Sequence, residues 1–487
     1  MSRPGTRRLT GLDAQFLAIE DARVQGHVSA LVVLDSATSS GQRVDADLAR
    51  DLVEERLGQL PPLRWRLSQV PFGLDHPYLV EAEQVDLRVH VNESALAAPG
   101  DDRRLAETVA RLITRPLDRS RPLWRMHVLH GLAENQVAVL LTVHHAVVDG
   151  ASLGDLLSVL LDTSPERTES AAADHLVLEK SPDIAALVVR GTTEALARTL
   201  RAFKQASATL AHLEDVPSIR TVPAVRMITA MSRALSGRPP RSARAAPRTR
   251  FQNRLSAQRR MAFGSVPLDQ VRDIARALDV TVNDVVMACT AGALRAWLEA
   301  RAELPAEPLV AMVPRSTRTD AERNTYGNAA TVMFVDLATD EPDPMIRLRR
   351  VQAAMTRAKR IDREVPAGLI ESVNEMIPPA ALTAVASASS WLTTAGVAAP
   401  AVNLVVSNVP GSPAPLYLGG ARVRALVPVS AITDGIGLNV TVASYTDRLY
   451  VGIVVDHDQV DDPWSLVAAL GDALRELGSA AEAAAGK

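Results

Sequence analysis

Apolar and polar positions divide the chain into short β-like runs and longer stretches with helical spacing. Val28–Asp35 (VSALVVLD) and Gln136–Val143 (QVAVLLTV) are nearly continuous runs of β-branched and aliphatic residues, the pattern of strands covered on both faces. Val44–Leu60 (VDADLARDLVEERLGQL) instead sets its apolar residues three and four apart, which predicts an amphipathic helix. Further along, SVPLDQVRDIARAL and TVNDVVMACTAGALRAWL predict two helices, the second opened by a Thr or Asn cap. PLVAMVPRSTR, NAATVMFVDL, VNLVVSNVP and LNVTVASYTDRLYVGIVVD predict strands, and DPWSLVAALGDALRELGSAAEAA predicts a closing helix. Strands and helices mixed in this way indicate an α/β or α+β protein.

Length and composition narrow this picture. A chain of 487 residues exceeds one ordinary core. The expected division is a first domain over 1–175, a helical and Arg-rich linker over 176–260, and a second domain over 261–487. A hydrophobic fraction of 47% with 22% charged residues is that of a globular protein. A net charge of −3 excludes nucleic-acid binding driven by bulk charge, so no nucleic-acid partner is expected. The single cysteine, Cys289, rules out an internal disulfide and suggests a reducing compartment. Its small apolar neighbours mark it as a packed thiol rather than a nucleophile.

Two stretches bear on location. The N-terminus is basic but lacks an apolar core, so no secretory signal is expected. The uncharged stretch Met376–Ala421 is diluted by Ser, Thr, Pro, Asn and Gly. It falls short of the roughly 20 apolar residues a spanning helix needs. It predicts a buried helix followed by a buried strand, with a greasy exposed surface as the alternative. Eleven arginines lie between Arg220 and Arg260, and no Asp or Glu occurs from Val216 to Leu268. Pro, Ser and Gly interrupt this segment, which reads either as a solvated linker or as a basic strip for phosphates of a lipid surface or a nucleotide-bearing substrate.

The chemistry concentrates in LLTVHHAVVDG, Leu140–Gly150. Successive strand residues point to opposite faces, so His144 and His145 should differ in task, one chemical and one structural. His145 stands four residues before Asp149, and Gly150 allows a sharp turn after the strand. A histidine near its ordinary pKa of about 6.5 suits proton abstraction from a hydroxyl or thiol. The neighbouring carboxylate can fix the loop. The spacing is not that of the common zinc signatures, and no GxSxG elbow supplies a serine nucleophile. Neither a metal nor any other cofactor is expected, and direct transfer is preferred over a covalent intermediate.

HHAVVDG, with Pro122-Leu123-Trp124 ahead of it and Asn283-Asp284 behind it, resembles the bacterial wax ester synthase/acyl-CoA:diacylglycerol acyltransferases. LTGLDAQFLAIE, VPRSTR…YGNAATVMFVDLATDEPDP, SNVPGS and LVPVSAITDGIGLNVTVASYTDRLYVGIVVD extend the resemblance over nearly the whole chain outside its Arg-rich middle. One departure is GHVS at Gly26–Ser29, where relatives often read MHVG. The resemblance implies two chloramphenicol-acetyltransferase-like halves with the active site in a tunnel between them. It implies acyl-CoA as donor, and diacylglycerol or a long-chain fatty alcohol as acceptor. By the same resemblance His145 is the base, His144 supports the strand end, Asp149 is structural, and Asn283 and Asp284 line the facing wall. Asn283 and the backbone near Gly150 are candidate oxyanion donors, and Pro122-Leu123-Trp124 is expected to pack at the domain junction. Such an enzyme would work in the cytoplasm, peripherally on the inner face of the membrane or on lipid droplets. The alternatives are a condensation-type or polyketide-associated acyltransferase with a carrier-bound donor, and a non-catalytic relative that coats lipid droplets.

Overall fold

The computed structural model describes residues 6–166, 187, 189, 191–193, 245–317, 326–328, 330–364 and 379–485. Most of the expected linker, including Arg220, Arg226, Arg233, Arg238, Arg241 and Arg244, lies outside the described residues.

The strands, in chain order, are β1 (Thr6–Arg8), β2 (His27–Asp35), β3 (Trp65–Ser68), β4 (Tyr78–Glu81), β5 (Val91–Ala95), β6 (Trp124–His130), β7 (Gln136–His144), β8 (Arg259–Pro267), β9 (Val310–Ser316), β10 (Ala330–Asp336), β11 (Leu404–Val409), β12 (Tyr417–Leu418), β13 (Ala421–Val429), β14 (Leu438–Tyr445) and β15 (Arg448–Asp456). They form a six-stranded sheet in the order β12-β13-β2-β7-β6-β5, a second in the order β10-β9-β11-β14-β15-β8, and a small sheet β1-β4-β3. The helices are α1 (Gly11–Ala18), α2 (Ala46–Arg56), α3 (Leu87–His90), α4 (Asp102–Ile113), α5 (Gly150–Leu160), α6 (Leu268–Ala277), α7 (Val282–Glu299), α8 (Pro344–Glu364), α9 (Pro379–Thr394) and α10 (Pro463–Ala485).

Each large sheet carries its own core. Around the first, Leu31, Leu34, Leu140 and Val143 of β2 and β7 are wholly buried with Leu48 and Leu52 of α2. Around the second, Val285, Met287 and Leu294 of α7 are buried with Val440, Val442 and Val455 of the central strands. α7 packs against α8 and α10, which explains its nearly all-round apolar composition. Cys289 sits on it, buried, and burial pushes its thiol up to about 12. That is an inert core thiol.

The two halves are joined by strand exchange. β13 comes from the C-terminal part of the chain but pairs antiparallel with β2, Ser29 opposite Val429. It therefore completes the first sheet while its neighbours β14 and β15 build the second. The crossing is tight: a Cβ on Gly452 of β15 would stand 1.8 Å from the Pro428 carbonyl oxygen. Only glycine fits there.

Two sequence readings change. Ser265-Val266-Pro267, expected to open a helix, instead end β8, paired with Arg448–Leu449–Tyr450 of β15, and the helix begins at Leu268. α9 is not the buried helix expected: Leu382 is buried, whereas Trp391 is 62% exposed. The strand expected after it, β11, is buried at Leu404, Val405 and Val406. Among the described residues, no single helix is long and apolar enough to cross a membrane.

Candidate active site

β7 ends at His144, so the paired histidines fall on either side of the strand's end. The chain then turns through Ala146, with the amides of Val147 and Val148 donating to the His144 carbonyl at 2.9 and 3.3 Å. Gly150 has no part in this turn, contrary to the sequence reading. It is the first residue of α5, and a Cβ there would lie 3.4 Å from the Val409 side chain of β11. Its smallness lets the second half approach. Asp149 is the N-cap of α5 and accepts from the Ser152 amide at 2.8 Å, satisfying one of the donors a helix start leaves open.

His144 turns into the first half. It is 1% exposed, its Nδ1 accepts from the Ala146 amide at 2.9 Å, and its Nε2 lies 3.0 Å from Glu20 Oε1. Its own amide donates to the Leu123 carbonyl, which ties it to Pro122-Leu123-Trp124. Trp124 donates from Nε1 to the Leu63 carbonyl at 2.8 Å and stacks on His90. This tryptophan packs inside the first half rather than at the domain junction.

Glu20 gathers the charges behind the motif. It accepts from the Gly26 amide at 2.8 Å and from Arg119 at 2.7 Å. Burial opposes its ionisation, but His144, Arg119 and the Gly26 amide overcome that and hold its carboxyl at about 2. His27, opposite His144 in the β2–β7 register, lies 3.6 Å from the same carboxylate. Burial, aided by His144, pulls its imidazole down to about 3, so it is neutral in the fold.

His145 faces the other way, toward the second half. Its amide donates to the Gly26 carbonyl at 2.7 Å. Its ring stacks on Phe16 of α1, centroids 4.3 Å apart and planes 8° from parallel. Its Nδ1 lies 3.2 Å from Asn328 Oδ1, and Asn328 Nδ2 contacts the His145 carbonyl and Asp13 Oδ1 at 2.5 and 2.7 Å. Burial pulls the His145 pKa below its ordinary value, more than Asp149 and Asn328 raise it. A neutral imidazole at the junction of two halves can accept a proton at neutral pH.

Asn328 belongs to the short described segment Tyr326–Asn328. Here Tyr326 packs edge-on to Trp65 at 6.1 Å and accepts from Arg7 through its carbonyl. Gly327 takes φ +110°, and a Cβ there would strike the Arg7 guanidinium. The conformation calls for glycine, and its lack of a Cβ leaves the Arg7 guanidinium in place.

The ND pair sits at the start of α7. Thr281, not Asn283, caps that helix, and Asp284 returns the bond from its third position. The buried Asp284 carboxylate accepts from the Thr281 amide at 2.9 Å and hydroxyl at 2.7 Å, which commits it to the helix end. Asn283 is free of that duty and contacts Asn408 Nδ2 at 3.4 Å. Asn408 precedes the Val409 that abuts Gly150, so Asn283, SNVPGS and HHAVVDG adjoin in space. Among the described residues, no group of three or more His, Cys, Asp or Glu could hold a metal. Asp13, Phe16, Glu20 and Asn328 were given no role from sequence, although their motifs carried the resemblance.

Comparison with known proteins settles the family. The model of the wax ester synthase/diacylglycerol acyltransferase catalytic domain matches residues 9–286, and that of the WS/DGAT C-terminal domain matches residues 326–478. The chain belongs to the wax ester synthase/diacylglycerol acyltransferase family. Among its relatives, a Mycobacterium tuberculosis protein named as a diacylglycerol O-acyltransferase is 33% identical over 486 residues, covering 98% of each chain. A Mycobacterium bovis protein with the same kind of name is 31% identical, covering 97% of this chain and 99% of its own. The solved wax ester synthase/diacylglycerol acyltransferase from Marinobacter aquaeolei VT8 superposes with a TM-score of 0.67 at 26% identity, over 98% of this chain and 99% of that one. The starter condensation domain of rhizomide synthetase, at 14% identity and a TM-score of 0.55 over 98% and 95%, shares the fold. The family's two-domain acyltransferase architecture is thus that of this chain, and the protein is an acyltransferase.

Proposed function

We propose that this enzyme moves a long-chain acyl group from acyl-CoA to the hydroxyl of diacylglycerol, and to long-chain alcohols, with His145 as general base. One observation carries the reading: the His145 imidazole is neutral, aromatically stacked and aimed at the meeting of the two halves. The base takes the acceptor hydroxyl proton as that oxygen attacks the thioester carbonyl. The tetrahedral intermediate then collapses, breaks the C–S bond and returns the proton to the departing CoA thiolate. Neither step needs an acyl-enzyme or a further cofactor. Asn283, with its side chain outside the capping box, is the candidate donor to the oxyanion.

The acceptors are nearly insoluble, so the reading includes a lipid surface, on the cytoplasmic face of the inner membrane or on a lipid droplet. Support comes from exposed apolar side chains: Trp391 of α9, Val397 just after it, and Phe72, 88% exposed, on a turn against which α9 packs. The deciding assay supplies purified protein with palmitoyl-CoA and either dipalmitoylglycerol or hexadecanol, and follows free CoA together with the lipid product. CoA release with neither ester formed would refute the acceptor assignment.

A further inference from the structure

We propose that Asn328 is a positioning residue that fixes the His145 tautomer, with Asp13 and Phe16 of α1 as its supports. The proposal rests on His145 being the base. The side-chain amide of Asn328 has one donor end and one acceptor end. Its Nδ2 stands 2.7 Å from Asp13 Oδ1 and 2.5 Å from the His145 carbonyl oxygen. Both of those oxygens only accept. Reversing the amide would set an oxygen against two oxygens, so its orientation is fixed. The remaining end, Oδ1, can then only accept from His145 Nδ1, 3.2 Å away. Nδ1 therefore carries the hydrogen and Nε2 carries the lone pair. Nε2 is the atom that takes the proton.

Asp13 is itself anchored. It is fully buried, its Oδ2 accepts from the Thr10 amide at 3.1 Å and lies 3.6 Å from Arg7 Nη2, and its Oδ1 also faces the Asn328 amide at 3.3 Å. Phe16 follows three residues later on the same helix, where a neighbouring side chain belongs, and stacks on the imidazole face. One short helix thus holds the ring plane directly and the ring's nitrogen assignment through Asn328. A neutral amide does this without the charge that a carboxylate on Nδ1 would bring, and such a charge would raise the base's pKa. Asn328 precedes β10 of the second sheet, so the base is correctly set only when both halves are together.

The test uses the full chain and four variants. His145→Ala defines the loss when the base is gone. Asn328→Ala should lower kcat by about 10- to 100-fold with little change in KM, smaller than the ~10⁴-fold loss that a wrong tautomer causes where nothing else can restore it. Two-bond proton–nitrogen spectra of ¹⁵N-histidine-labelled protein, with His145 assigned by its absence in His145→Ala, should show Nδ1–H in wild type and a shift toward Nε2–H in Asn328→Ala. Asp13→Asn is nearly isosteric and should show the same changes in smaller measure, which keeps the test open should Asn328→Ala fold poorly. Thr10→Ala removes only the helix cap. It should lower Tm yet leave the tautomer and the acid limb of kcat/KM where they are. That limb also senses Asp149 and His144 on the same segment, Glu20 behind them, and Arg7 beyond Asp13, and all of these remain in every variant, whereas Asp13→Asn alone removes the Asp13 charge. A wild-type tautomer and kcat in both Asn328→Ala and Asp13→Asn would overturn the proposal while leaving the base in place. Retained activity in His145→Ala would instead overturn the base, and the proposal with it.

Discussion

Side by side in sequence, His144 and His145 meet different surroundings because β7 stops between them. His145→Ala should lose about 10²- to 10⁴-fold in turnover, the usual cost of removing a general base. Its melting temperature should stay close to wild type. His144→Ala should act through stability, since it strips a buried partner from the Glu20 carboxylate. A dead but stable His144→Ala beside an active His145→Ala would reverse the roles. Because burial lowers the His145 pKa, its neutral form persists below the ordinary value of about 6.5. The acid limb of kcat/KM should accordingly fall below pH 6.5. That the two histidines meet different surroundings was legible from strand alternation; the helix that Asp149 caps was not, since no helix was predicted there. The holders of His145 were not, because Asp13 and Asn328 are 315 residues apart and meet only in the fold.

At the level of elements, the Arg-rich segment divides. Arg248 donates to the carbonyls of Thr393 and Ala398, at the C-terminal end of α9, where a cation is favoured. Arg250 lies 2.5 Å from Glu303 Oε1, donates to the Gln459 carbonyl and sits over Trp297. These two arginines are structural, against the sequence reading of the segment as either a solvated linker or a basic strip. Arg248→Gln and Arg250→Gln should each lower Tm in a thermal melt without changing the salt dependence of vesicle binding. An unchanged Tm would show that their contacts contribute nothing. The buried strands and α7 were readable because a run covered on all sides is apolar on all sides. β8 was misread because Pro267 both ends a strand and precedes a helix, and a proline signals either. α9 was misread for a related reason: lack of charge tells that a helix is apolar, not whether anything covers it.

Over the whole molecule, acid stability and the proposed surface attachment each carry a prediction. His27 is neutral when folded, held at about 3 against 6.5 unfolded, so its contribution is complete above pH 6.5 and fades as pH falls toward 3. Glu20, at about 2 against 4.5, contributes above 4.5 and loses that contribution between 4.5 and 2. His27→Phe should therefore flatten the fall of Tm between pH 6.5 and 4.5 while leaving the steeper loss below 4.5; an unaltered slope would dismiss the role of His27. Attachment should combine charge and insertion. Binding to anionic vesicles should weaken as salt shortens the Debye length below about 10 Å, and Trp391→Ser with Phe72→Ser should reduce the part that salt leaves behind. Equal binding to neutral and anionic vesicles, untouched by salt, would remove the charged component. The mixed α/β architecture was visible from the alternation of runs. The exchange of β13 was not, for nothing in ARVRALVPV names a partner about 400 residues upstream.

That exchange also sets a clock on biogenesis. β2 is buried along eight of its nine residues, yet one of its edges stays unpaired until β13 has been synthesised. At translation rates of ~5–20 residues per second the wait is on the order of 20–80 s. Throughout it the nascent chain displays a bare, apolar sheet edge, the kind of template that recruits other strands. A holding chaperone at the ribosome exit would have its work defined by that interval, and slowing synthesis between the two strands would lengthen the hazard even though every residue of the finished enzyme stayed the same.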